Sequence, residues 1–232
     1  FGRTLTGQTT RPSPKPGLGW ETDKFSQAAM NAHFEAYIAS LLNKTGQPKH
    51  RGRGLTTLHF DSWEMSSQNW SSKFREDFRE RRGYDLVRFL PAFSGYIVDS
   101  PEISERFLWD IRQTAQELVV ENQIQRLRNL GQQHGLQLSL EPYDLNPCGD
   151  AKLGSTADVP MGEFWSKGWA VDTDFSVVEA TSLGHTLGRT IIGSEAFTAS
   201  TDEKWQQYPG SMKAQSDWAL CAGVNRFVFH RY

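Results

Sequence analysis

Five short apolar runs along this chain each stop at or beside an acid or a histidine. They are LTTLHF followed by Asp61, LQLSL followed by Glu141, VPMG followed by Glu163, IIGS followed by Glu195, and RFVF followed by His230. Runs of four to eight β-prone residues read as strands, and a polar residue at the end of each is a constraint on architecture rather than on composition.

Helical signals lie between the runs. Residues 23–42 place Phe25, Ala28, Ala29, Ala32, Phe34, Tyr37, Ile38, Leu41 and Leu42 near helical spacing, with Ser26 or Asp23 available as a cap. Residues 73–82 carry Phe74 and Phe78 four apart and stop at Gly83. Residues 100–135 read as one long amphipathic helix, opened by Ser100, Pro101 and Glu102 and closed at Gly135. Two more helices are expected, over about 174–187 and 210–221. The basic, glycine-punctuated stretch KTGQPKHRGRG reads as a solvated loop.

Helices of ten or more residues between short strands favour parallel pairing through crossovers, in a doubly wound sheet or a closed barrel. No G-x-G-x-x-G follows a strand and no P-loop is present. Polar residues recur instead at the C-terminal ends of successive strands, where barrel enzymes hold their chemistry. The expected fold class is α/β, a TIM-type (β/α)8 barrel that is incomplete and holds strands about three to eight. Residues 1–16, rich in Thr, Pro and Gly, are expected to be an extended lead-in, and 17–232 a partial barrel catalytic domain.

Charge excludes some partners. With 25 Lys and Arg against 27 Asp and Glu, the net charge is −2, which favours neither nucleic acid nor an anionic membrane. No apolar run approaches the roughly 20 residues of a membrane span. Cys148 and Cys221 lack metal-type spacing, leaving a disulfide and buried thiols both open. The chain has no start Met and no apolar signal core, as expected of a fragment or a processed chain. Eight Trp residues are compatible with stacking on sugar rings, although Trp most often fills core.

The acids are therefore candidates for glycoside hydrolysis, which commonly needs two carboxyl groups facing across the anomeric carbon. Glu64, shortly after the first run, and Glu195 are the candidate pair; either could instead cap a helix or pair with an Arg. Asp61, Glu141 and Glu163 are candidate hydrogen-bonders to substrate, tuners of neighbouring pKa values, or ligands of a hard cation such as calcium. His230 could orient a substrate hydroxyl or bond within the rim. Trp63, Trp70, Trp165 and Tyr143 could wall a sugar subsite or pack in the core, and Asn69 is a further candidate substrate contact.

Taken together, GLGWETDKFS (17–26), FDSWEMSSQNW (60–70), RRGYDLVRFLP (81–91), SERFLWDIRQT (104–114), HGLQLSLEPY (134–143), ADVPMGEFW (157–165), GSEAFTA (193–199) and GVNRFVFHRY (223–232) resemble glycoside hydrolase family 106, the α-L-rhamnosidases, in the family's order. The resemblance implies an inverting hydrolase with a barrel catalytic domain. Its substrate would be terminal α-L-rhamnose of plant polysaccharides or glycosides, with a calcium ion engaging the rhamnose hydroxyls. It implies Glu64 as general acid, Glu195 as general base, and Glu163 with Asp61 at the calcium and sugar-hydroxyl site. A secreted or periplasmic location follows from the same likeness. Members of the family are much longer, and this chain is expected to begin after the first two barrel strands and to stop at the eighth. The alternatives are another barrel glycosidase, of β-galactosidase or glucuronidase type, and a carbohydrate-binding fragment without turnover.

Overall fold

The computed structural model describes residues 15–46, 54–63, 68, 70–143, 148–167 and 173–230. The lead-in before Lys15, Glu64 and Asn69 lie outside the described residues. The chain divides into two compact units. Residues 47–64, 131–144 and 150–232 form one, which holds all five strands found among the described residues; residues 1–46, 65–130 and 145–149 form the other, whose described elements are helices.

In the helical unit, α1 (Gln27–His33) runs through a π-helical stretch, Phe34–Ala39, into α2 (Ser40–Thr45). Of the two expected caps, Ser26 is the one used: its side chain accepts from the Ala29 amide. α3 (Phe74–Arg82) ends on Gly83, whose φ of 81° suits glycine. α4 (Pro101–Leu118) starts from a Ser100 cap and passes through a π-helical stretch, Val119–Gln125, into α5 (Arg126–Gln133). The expected single helix over 100–135 is thus continuous but locally widened. Phe74 stacks on Phe25 with centroids 5.3 Å apart, and Phe78 meets Phe107 at 6.1 Å. Each such buried ring contributes roughly 1.5–3 kcal/mol.

The sheet comprises β1 (Thr57–Phe60), β2 (Gln137–Leu140), β3 (Val159–Lys167), β4 (Gly193–Ala199) and β5 (Arg226–Phe229). Every neighbouring pair is parallel, and spatial order follows chain order. A doubly wound sheet reverses its order at a switch point, and this one does not, so it has the order of a barrel wall. Five strands form a half-barrel; numbering them three to eight would require a sixth, which is not present among the described residues.

The short α6 (Asp150–Gly154) precedes β3, α7 (Thr173–Thr186) joins β3 to β4, and α8 (Pro209–Ala222) joins β4 to β5. Phe164, Val177, Ala196, Phe197, Ala219 and Val224 form a buried cluster uniting β3, β4, α7 and α8. At its centre Phe164 and Phe197 cross edge-to-face, 4.9 Å apart. Gly162 is required where α7 crosses β3, because a Cβ there would lie 2.6 Å from the Ser176 carbonyl oxygen.

Candidate active site

Parallel pairing puts the C-terminal ends of all five strands on one edge, and strand alternation then decides which side chains share a face. His59 and Asp61, two apart, share a side at β1, and Ser139 and Glu141 do so at β2. His59 and Ser139 are register partners. Nδ1 of His59 lies 3.0 Å from Ser139 Oγ, while that hydroxyl donates to the Leu58 carbonyl at 3.2 Å. With the Ser139 proton so directed, Nδ1 is the protonated nitrogen and Nε2 carries the lone pair. Desolvation lowers the His59 pKa despite the nearby Asp61 and Glu195 charges, which favours the neutral ring.

Nε2 of His59 faces Glu141 Oε1 at 3.7 Å, and the Tyr143 hydroxyl donates to Glu141 Oε2 at 2.8 Å. Glu141 is 2% exposed, and its Oε1 is buried without a hydrogen-bond partner. Burial first, then the Asp61 and Glu195 charges, push its carboxyl well above the ordinary range. One ligand atom from each of His59, Asp61 and Glu141 lies within 4.8 Å of the others. The His59 Nε2 lone pair, on a partly exposed ring, and the buried Glu141 Oε1 face each other and describe a place for a proton or a cation.

Glu163 and Glu195 are register partners across β3 and β4. Burial, the Glu195 charge and a hydrogen bond to Glu195 push the Glu163 carboxyl up to about 8. Glu195, its side chain 12% exposed, accepts from Thr198 Oγ1 at 3.0 Å, and His230 Nδ1 stands 3.7 Å from the same oxygen, Oε1. Adjacent carboxyls disfavour double ionisation, so at neutral pH Glu163 keeps its proton beside Glu195.

Neither acid ends its strand, as the sequence reading expected: β3 continues to Lys167 and β4 to Ala199. A bulge lies just beyond the pair. Phe197 has φ 60° and is skipped in the ladder, Ala196 pairing with Phe164 and Thr198 with Trp165. Regular alternation would aim Thr198 away from Glu195; the extra residue turns it back. Ser176 steadies the other acid, its hydroxyl accepting from the Glu163 amide and donating to the Glu163 carbonyl, both at 2.9 Å.

Of the proposed sugar wall, Trp63 and Tyr143 are buried, with the Trp63 amide donating to the Tyr143 carbonyl at 3.4 Å. Trp165 is half-buried. Trp70 belongs to the helical unit, where it packs against Phe74 at 5.3 Å. Asp61 is grouped with His59 and Glu141, whereas Glu163 sits with Glu195. His59, Ser139 and Thr198 escaped the sequence reading; the one available signal was His59 two positions before Asp61, the spacing of a shared strand face.

A family model described as alpha-L-rhamnosidase, glycoside hydrolase family 106, matches residues 1–232. The chain belongs to that family. It is 38% identical over 232 residues to a Formosa agariphila protein provisionally named a beta-glucuronidase, a match that covers all of this chain and 19% of the relative. A solved structure of a rhamnosidase from Novosphingobium sp. PP1Y matches with a TM-score of 0.83 and 29% identity, over 98% of this chain and 22% of that one. The chain therefore spans about a fifth of the length of these relatives.

Proposed function

We propose that this chain carries part of the active site of a glycoside hydrolase that removes terminal α-L-rhamnose from plant polysaccharides or glycosides with inversion. The observation that carries the reading is the Glu163–Glu195 pair, in which one carboxyl retains its proton and the other is held by Thr198 and His230 as an acceptor. Glu195 is the general base that takes a proton from the attacking water. Glu64, four positions beyond Phe60, is assigned as general acid on the family motif.

Distance argues against the neighbouring acid in that second role. An inverting pair stands roughly 6.5–9.5 Å apart and a retaining pair roughly 5–5.5 Å, whereas Glu163 shares a hydrogen bond with Glu195. Glu163 is then the group that holds Glu195 in position. Charge bears on the sugar. The Asp61 and Glu195 charges would repel the ring carboxylate of a glucuronide, while rhamnose is a neutral deoxyhexose. That favours the rhamnosidase reading over the glucuronidase name of the Formosa relative.

The calcium ion implied by the family fits Asp61 and Glu141, which offer carboxylate oxygens, one of them buried without a partner. His59 is a nitrogen donor outside calcium's usual oxygen set. A bound cation would supply charge to hold ring hydroxyls and would offset repulsion among the acids. A polysaccharide too large to cross a membrane implies action outside the cytoplasm, in line with a secreted or periplasmic site. No described helix is long and apolar enough to cross a membrane.

The test uses the full-length protein with 4-nitrophenyl α-L-rhamnoside and the matching β-D-glucuronide, following the first-formed anomer by NMR. Release of β-rhamnose supports the proposal. Cleavage of the glucuronide alone sinks the substrate assignment, and release of α-rhamnose sinks the inverting mechanism.

A further inference from the structure

We infer that Trp205 is a sugar-stacking platform on the rim beside Glu195, receiving a pyranose ring of the saccharide next to the one cleaved. The inference rests on the proposed glycosidase reading and adds a binding residue to it.

Among the described residues, four non-glycine residues adopt positive φ: Asp99, Phe197, Lys204 and Trp205. Three of these fall within eleven positions of Glu195 along the chain, in β4 and the segment that leaves it. Phe197 is explained by the bulge that aims Thr198. Lys204 and Trp205, with φ of 57° and 60°, are consecutive, a conformation that L-residues with a Cβ rarely adopt and that no glycine relieves. Strain of this kind persists where the surroundings over-determine it, and it gathers at ligand-binding sites.

The surroundings do so here. The Ser200 hydroxyl caps the turn Thr201–Glu203, the Lys204 amide donates to the Thr201 carbonyl at 3.3 Å, and the Gln206 amide to the Glu203 carbonyl at 3.3 Å. Gln207 then pins the segment across two strands, its Nε2 donating to Ser166 Oγ at 2.6 Å and to the Phe197 carbonyl at 3.0 Å. These are the strands that carry Glu163 and Glu195. Trp205 is two residues from that anchor, at most roughly 7 Å of backbone away.

What the ordered, strained turn presents is an indole 92% exposed. A side chain that gains almost nothing from burial gives the fold no return for the strain. A flat π face on a fixed backbone suits the axial C–H face of a pyranose, which needs no charge and no particular hydroxyl pattern. The expected occupant is thus a sugar ring at the rim, with selectivity for the cleaved residue left to the acids below.

The experiment measures saccharide affinity without turnover. In the full-length protein carrying Glu195→Gln, calorimetry would compare rhamnose-terminated and glucuronate-terminated oligosaccharides of three or more units against Trp205→Ala, Trp205→Phe and Trp205→Leu. Whichever saccharide the parent binds, Trp205→Ala should lower its affinity roughly tenfold. Trp205→Phe should keep most of the affinity and Trp205→Leu should lose it, because Leu supplies apolar volume without a flat face. Equal affinities for the Phe and Leu variants, or an Ala variant within twofold of the parent, overturn the inference. So does a parent that binds neither oligosaccharide. Binding of the glucuronate-terminated chain alone overturns the rhamnose reading while the platform is still judged by the same three variants.

Discussion

Glu163 and Glu195 face each other as register partners of two adjacent parallel strands, and their carboxyls share a hydrogen bond. One proton therefore serves two acids, and the strand ladder itself fixes the geometry. Thr198 bonds within the pair, donating to Glu195 Oε1 at 3.0 Å, while His230 Nδ1 stands 3.7 Å from that same oxygen, so the two members are not equivalent.

Replacing the acceptor should remove chemistry and leave the fold. Glu195→Gln is expected to lower kcat for a rhamnoside by about a hundred- to ten-thousand-fold, the usual scale for a lost general base. Replacing one carboxylate in a cluster of acids by a neutral amide of the same shape should not lower the thermal midpoint. Near-normal turnover in a steady-state assay would show that Glu195 is not the base.

Glu163→Gln should behave differently. Below about pH 8 the native side chain already carries its proton, and an amide preserves a donor toward Glu195. Activity at pH 6.5 is expected to stay within about tenfold of the parent. As pH rises through about 8 the native Glu163 ionises beside Glu195, so the parent should decline there while the variant stays flatter. A thousandfold loss at pH 6.5 would mean that an ionised Glu163 is needed, as a cation ligand would be.

Calcium should act through Asp61 and Glu141. The Glu141 carboxyl is raised by burial, so it is neutral at low pH and a cation must displace its proton. Calcium affinity should therefore rise with pH, and titration in two buffers of different ionisation enthalpy should reveal proton release. At about a hundred times its Kd, calcium would stabilise the folded state by about 2.7 kcal/mol. Asp61→Asn and Glu141→Gln should abolish the shift that chelation reverses in the parent; an unchanged shift in both would move the ion elsewhere.

Packing makes a sharper demand at Gly162. An added methyl would sit 2.6 Å from the Ser176 carbonyl oxygen and 2.7 Å from the Val177 nitrogen, both backbone atoms that cannot rotate away. Gly162→Ala should cost about 2 kcal/mol or more by prising α7 from β3. Gly19→Ala, where nothing lies within 4 Å, is the neutral control. Equal unfolding midpoints for the two would refute the contact.

Much of this was legible because its causes are local. Ser26, Ser100, Gly83 and Gly135 mark helix ends through cap and turn chemistry that depends on a few neighbours. Parallel order followed from long helices between short strands. What was hidden depends on partners distant in sequence. The bulge at Phe197, which turns Thr198 toward Glu195, exists only in the paired ladder. His59 reads as one more β-prone residue until Ser139 and Glu141 arrive from a strand some eighty positions later. The grouping of α1 through α4 into a separate unit depends on contacts such as Phe25 on Phe74, which no periodicity announces.

Glu179, on α7, supplies a test away from the site. Its Oε2 is buried without a hydrogen-bond partner, and burial, followed by the charge of Asp150, pushes its carboxyl up to about 7. A raised folded-state pKa means that the folded form holds a proton the unfolded form has released. The stability this represents is complete below the ordinary carboxyl range and is lost as pH rises through about 7. Amide exchange along α7, corrected for intrinsic rates, should therefore show weaker protection at pH 8 than at pH 5 in the parent. Glu179→Gln should lose less protection across that interval, since an amide has no charge to desolvate. Parallel pH dependence in the two proteins would mean that the carboxyl is paired in solution, and that burial is not what holds its proton.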